Sequence, residues 1–160
     1  MVIFSFSASK KSKKILFLAF SALIFFGVLV ICLLLFGSRD FTANCGEREY
    51  STAARSNDDL IKFAGQFHIK VTNQPTYVEK VTVPLKFNDI YKHYNDIQKE
   101  MGLDLEKYKG RQCIKYTFDV QNETDDSPVE MNLLVLDERV IAADLSEKYY
   151  NGSMRSLVKK

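Results

Sequence analysis

Polar and apolar positions divide the chain into two unlike parts near residue 40. From Ile15 to Phe36 it reads ILFLAFSALIFFGVLVICLLLF, without one charge and with only Ser21 and Gly27 as interruptions. A helix over these positions spans roughly 33 Å, against about 30 Å for a hydrocarbon core. A helix lying on a soluble core would carry a polar stripe, and this run has none. The pattern predicts a transmembrane helix at 15–36, with a cleaved secretion signal as the alternative. A cleaved signal has an apolar stretch of about 7–15 residues closed by a small-x-small site. Here the run is longer and no Ala-x-Ala follows it; a cut would fall near Phe41–Cys45, FTANC. A lipoprotein would need a small residue before its cysteine. Cys32 instead follows Leu29-Val30-Ile31, and Cys45 follows Asn44.

Beyond the run the periodicity changes. Residues 37–55 repeat weakly and read as a stalk. Ser56 caps a short helix in which Leu60, Phe63, Ala64 and Phe67 share a face, with Asp58 and Asp59 at its positive end. HIKVTNQPTYVEKVTVP, from His68 to Pro84, reads as a strand, a turn at Asn73-Gln74-Pro75, and a second strand. Phe87, Ile90, Tyr94, Ile97 and Met101 recur at three- and four-residue steps, which predicts an amphipathic helix capped by Asn88 and ended by Gly102. Leu103 and Leu105 would fold back on that stripe, so the charges of NDIQKEMGLDLEKYKG lie on an outer face and in the turn after it. RQCIKYTFDVQ alternates: Ile114, Tyr116, Phe118 and Val120 face one way, and Cys113, Lys115, Thr117 and Asp119 face the other. This predicts a strand with one buried face and a reachable thiol at Cys113. VEMNLLVLDE turns apolar on both faces and reads as a central strand. Asp137-Glu138 makes a tight turn lacking the glycine a type I′ hairpin prefers. RVIAADLS is the last strand, and the tail is tacked down by Tyr149, Met154 or Leu157. The expected fold is α+β: about two helices packed on a mainly antiparallel sheet of four or five strands, over residues 56–160.

Charge supplies orientation. Lys10, Lys11, Lys13 and Lys14 precede the apolar run with no acid before them, whereas Arg39 and Arg48 after it are mixed with Asp40, Glu47 and Glu49. Basic flanks stay in the cytoplasm. Residues 1–14 are therefore expected inside, and the carboxyl-terminal domain outside, as a single-pass signal-anchor protein. The formal charge of +2 is then misleading. Setting those four lysines aside leaves 18 basic against 20 acidic residues. No basic patch remains to suggest nucleic acid.

Candidate chemistry is sparse. Asp89, His93 and Asp96 stand at i, i+4 and i+7 of one helix face, where a carboxylate–imidazole–carboxylate set binds a divalent metal or poises a base. The same spacing describes a solvated face opposite the apolar stripe, and no ligand from another element is identifiable. His68 suits the negative end of the preceding helix. Cys45 and Cys113 fall outside the membrane, where a disulfide is permitted. Such a bridge would be worth about 4 kcal/mol in the chain-entropy model, provided the stalk reaches the strand. Tyr91, Tyr149 and Tyr150 are candidates for an exposed contact patch, whereas Tyr94 and Tyr116 share faces with core positions. No nucleophile motif, zincin signature or phosphate-cradling loop occurs, and no cofactor is implied.

Two stretches, VTVPLKFNDIYKHYNDIQKEMGLDLEKYKGRQCIKYTFDV and MNLLVLDERVIAADLS, resemble a family of small bacterial domains, the domain of unknown function 4830. The resemblance covers about Asp59 to Leu157. Its most specific parts are the paired tyrosines of IYKHYNDIQKEMGLDLEKYKG and the strand pair after it. It implies a Firmicutes-type envelope protein in which the domain follows an N-terminal membrane or lipoprotein segment, and it implies no activity. Family members favour Gly-Trp where His68-Ile69 stand, and Asp-Gly at Asp137-Glu138. They also favour Gly-Gly-Asp with a nearby cysteine where Ala142-Ala143-Asp144 and Ser146 stand. This chain is thus similar to the family as a divergent member, and any role of that cysteine is absent.

These readings lead to a non-catalytic binding or interaction module at the cell envelope. Its expected partners are the bilayer, through residues 15–36, and an envelope protein or peptide. A sensor or regulator binding a peptide or lipid is one alternative, and a metal-dependent enzyme built on Asp89, His93 and Asp96 another.

Overall fold

Lys10–Phe36 form one unbroken helix, α1, of 27 residues, roughly 40 Å long at 1.5 Å per residue. The computed structural model describes residues 10–36, 41–122, 128–149 and 152–158, with the side chains of α1 described from 17 to 31. Apart from Ser21 and Gly27 those residues are apolar on every side of the helix, and Phe17, Leu23 and Phe25 are more than two-thirds exposed. Among the described residues no helix is long and apolar enough to cross a membrane; residues 17–31 alone reach about 22 Å. The chain divides into one unit of residues 1–40 and another of 41–160.

The second unit is α+β. Its elements are β1 (Thr42–Cys45), β2 (Arg48–Ser51), α2 (Asn57–Gln66), β3 (Tyr77–Thr82), α3 (Asp89–Lys99), a 3₁₀ turn (Leu105–Tyr108), β4 (Gln112–Asp119), β5 (Val129–Leu136), β6 (Arg139–Glu147) and β7 (Met154–Arg155). β3 to β7 form a five-stranded antiparallel sheet in sequence order, as short connections favour. The helix signals hold. Ser56 accepts from the Asp59 amide at 3.2 Å, Asn88 accepts from the Tyr91 amide at 2.9 Å, and Gly102 stops α3 at φ +74°. Leu103 and Leu105 do fold back and are buried.

Both faces of the sheet are covered. On one, Phe118, Met131, Leu133, Val140 and Leu145 meet Leu60, Phe63 and Ala64 of α2. On the other, Cys113, Leu134, Ile141 and Ala142 meet Leu105, with Phe87 and Tyr94 of the α3 region against them. A register shift at Leu134/Val135 lets both Ile141 and Ala142 serve this second face. The two-sided covering corrects the expectation of one buried face on β4. Cys113 is only 3% exposed, not a reachable thiol, because α3 and the 3₁₀ turn roof its side of the strand.

Three further expectations are revised. Residues 42–51 of the expected stalk are a hairpin, β1–β2, that belongs to the folded unit. Tyr50 explains why: its ring packs edge-on against Phe63 and Phe67, and its hydroxyl donates to the Met101 carbonyl at 2.6 Å. The expected strand–turn–strand from His68 to Pro84 does not reverse. Val71 bridges Val120 and β3 begins opposite Thr117, so both parts run along β4 and Asn73–Pro75 bulge out between them. Ile90, counted in the apolar stripe of α3, is 78% exposed, because the first turn of the helix overhangs the sheet. In the tail it is Leu157 that enters the core, at 2% exposure, while Met154 joins β7 at the surface. At the β5–β6 turn Asp137 and Glu138 both take positive φ, +49° and +62°, the type I′ signature without its glycine.

Candidate functional site

The overhang of α3 leaves a cleft of about 540 Å³ between the helix and the sheet, within the range of small-molecule sites. Its walls are apolar: Ile90 and Ile97 from α3, Val81 from β3, Leu134 from β5 and Met154 from β7. Its polar groups come from residues that share one face by alternation. Glu79 on β3 faces Lys115 on β4 in register, and the two are paired at 3.4 Å. Asn132 on β5 stands between Thr117 on β4 and Asp144 on β6.

Asp144 is the centre of this arrangement. It is 2% exposed, yet none of the ion pairs among the described residues includes it. Its Oδ1 accepts from the Tyr94 hydroxyl at 3.0 Å. Its Oδ2 accepts from Asn132 Nδ2 at 3.0 Å and from Ser146 Oγ at 2.7 Å. Asn132 Nδ2 also reaches Ser146 Oγ at 3.2 Å, and Asn132 Oδ1 accepts from Thr117 Oγ1 at 2.9 Å. A buried carboxyl survives when hydrogen bonds replace water, and here three donors do so. Burial pushes the Asp144 carboxyl above its usual range, against the opposing pull of Ser146, Asn132, Tyr94 and the charge of Lys115. Burial, and then the neighbouring Asp144, hold the Tyr94 phenol well above the ordinary value, so Tyr94 keeps its proton and donates.

The residues singled out from sequence fare unevenly. Asp89 pairs with Lys92 at 3.0 Å and Asp96 with Lys99 at 3.9 Å, both at the surface, while His93 alone of the three lines the cleft. Among the described residues no group of three histidine, cysteine or acidic side chains is placed to hold a metal. Tyr91 lines the cleft with its ring between Phe87 and Tyr94, at 5.5 and 6.2 Å between centroids. Tyr149 is 58% exposed beyond β6 and is not part of the cleft; Tyr150 lies outside the described residues. Cys45 and Cys113 are both free thiols in different clusters. Cys45 Sγ donates to the Glu100 carbonyl at 3.2 Å and borders a separate cavity of about 380 Å³ shared with Arg48 and His68. His68 itself carries φ +60°, so its backbone, not its imidazole, makes the turn after α2.

Sequence reasoning passed over Asp144, Asn132 and Glu79. One signal was present: a carboxylate and an amide inside strands otherwise apolar on both faces have to be partnered by something. A family model described as domain of unknown function (DUF4830) matches residues 63–145, a span that includes α3, β4, β5 and most of β6. No curated protein and no solved structure matches the chain.

Proposed function

The chain belongs to the family of the domain of unknown function DUF4830, and from that premise we propose that it is a non-catalytic binding module held at the cell envelope. Its ligand enters the cleft between α3 and the sheet. The observation that carries this reading is the composition of the cleft: apolar walls around a few fixed polar groups, the arrangement that recognition sites favour. The floor suits holding better than reacting. Tyr94, Asn132, Ser146 and Asp144 are locked to one another, and among the described residues no nucleophile–base pair lines the cleft.

The anchor is part of the proposal. Ile15–Phe36 carries no charge, four lysines precede it, and the backbone is helical from Lys10 to Phe36. That combination favours a membrane-spanning segment with the amino terminus inside and the domain outside. A photoreactive side chain at Ile90 tests both parts in intact cells. The proposal expects a discrete adduct from position 90, none from Lys62 on the exposed face of α2, and removal of the domain by protease added outside. A domain resistant to external protease overturns the topology, and identical adducts from positions 90 and 62 overturn the cleft as the binding surface. A sensor role is a special case of this reading. The metal-enzyme reading would require a divalent ion to raise the melting temperature through His93.

A further inference from the structure

The hydrogen bonds on the cleft floor point to the class of ligand. The polar hydrogens of Tyr94, Thr117 and Ser146 are all used inside the protein, and the Asn132 amide is directed at Asp144 and Ser146. Oxygen lone pairs remain. Asp144 Oδ1 and Asn132 Oδ1 each accept one hydrogen bond where two can be accepted. The Glu79 carboxylate adds a second anion at the β3 side of the cleft, where it offsets Lys115. Asp144 is a buried carboxyl on the cleft floor with no cation against it among the described ion pairs. A floor of unused acceptors beneath Ile97, Leu134 and Val81 fits a donor-rich cation on an apolar stem.

Resting on the reading of the cleft as the binding site, we infer that it takes a small organic ammonium compound, its charged head on Asp144 and Asn132 and its apolar stem along α3. A small molecule is favoured over a peptide because the cleft, at about 540 Å³, has the volume of a small-molecule site.

The test is a titration of the isotope-labelled full chain in non-ionic detergent with 2-phenylethylammonium and its neutral counterpart 2-phenylethanol. The amine is expected to bind at least about tenfold more tightly, the advantage of one hydrogen-bonded charge, with shifts at Tyr94, Asn132 and Ile97. Asp144→Asn should bring amine and alcohol within about twofold of each other. Glu79→Gln, a change at a half-exposed position that leaves the core intact, should cut amine affinity by a factor of about 3 and leave the alcohol unchanged. Equal binding of amine and alcohol by the unaltered chain overturns the cation assignment and leaves the cleft as a binding site. No binding of either overturns both. If a capped Ala-Lys-Ala peptide binds more tightly than the free amine, the small-molecule assignment is overturned in favour of a lysine side chain.

Discussion

Gly102→Ala tests whether the β1–β2 hairpin is an integral part of the fold. Gly102 sits at φ +74°, and a Cβ built there would stand 1.9 Å from the Asn44 carbonyl oxygen and 2.9 Å from its carbon. The first term is the left-handed backbone, about 1–2 kcal/mol for a residue with a side chain. The second is displacement. Neither contact can be borne, Asn44 is backbone within β1, and the hairpin must back away by about an ångström. That movement strains the Tyr50 hydroxyl bond to Met101 and the Cys45 bond to Glu100, and a lost buried hydrogen bond costs about 1–1.5 kcal/mol. Together the loss is about 3 kcal/mol, or roughly 10–15 °C in melting temperature for a unit of this size. Gly110→Ala is the control. Its φ is +75°, but its Cβ would meet only the end of the Leu85 side chain, at 2.7 Å. Leu85 is 77% exposed and free to turn away, so this variant pays the backbone term alone, about 1–2 kcal/mol. Thermal unfolding of the full chain in detergent, followed by tyrosine near-ultraviolet dichroism, reads both. Equal losses for the two variants would refute the docking of β1 on the end of α3.

The opposite change is expected at two other left-handed residues. Glu138→Gly and His68→Gly, at φ +62° and +60°, should each stabilise by about 0.5–1 kcal/mol in the same assay. The Arg55–Glu138 pair lost in the first variant, 3.8 Å apart with both side chains about 60% exposed, contributes little. In the native protein, iodoacetamide should alkylate Cys45 well before Cys113, whose thiol is 3% exposed and shifted upward by burial. Peptide-level mass spectrometry separates the two, and comparable rates, or a Cys45–Cys113 bridge on non-reducing digestion, would contradict the two-sided covering of the sheet. For Asp144 the sign is that of a raised acid. Its contribution is complete below the unfolded value of 3.8 and declines as pH rises from there through the folded pKa. Asp144→Asn should therefore flatten the fall in stability on that side, and a denaturant series across pH that superimposes on the parent would count against a buried, proton-favouring carboxyl.

What the sequence revealed followed how local each cause was. Ser56, Asn88 and Gly102 act within one helical turn, so their caps were legible from neighbouring residues alone. β4 was legible from its pleat alternation, and β5 from an apolar run on both faces, because each pattern is a property of the strand itself. Tyr50 was not. It is one aromatic in the polar stretch GEREYST, and the rings and carbonyl that bury it lie at 63, 67 and 101. Asn73-Gln74-Pro75 has the same chemistry in a reversing turn as in a bulge, and only the register against β4, Val71 with Val120 and Tyr77 with Thr117, separates the two. Cys113 went to the wrong environment for a related reason. Alternation says which residues share a face, but not what lies over that face.

The positions at which the family resemblance leads one to expect other residues fall into two physical kinds. His68 and Glu138 are both held at positive φ, a conformation that favours glycine, and this chain tolerates about 1–2 kcal/mol of strain at each. Neither residue lines the cleft beneath α3. Ala142, Ala143 and Ser146 are different, because they surround Asp144. The two alanines are fully buried, and the Ala143 amide donates to Gln98 Oε1 at 2.8 Å, tying β6 to α3 behind the carboxyl. Ser146 donates to Asp144 at 2.7 Å, and a thiol at that place would be the weaker donor. Serine at 146 therefore holds the Asp144 carboxyl more firmly than a thiol would. Such a hold suits the proposed role of Asp144, which is to keep one acceptor fixed beneath a bound ligand.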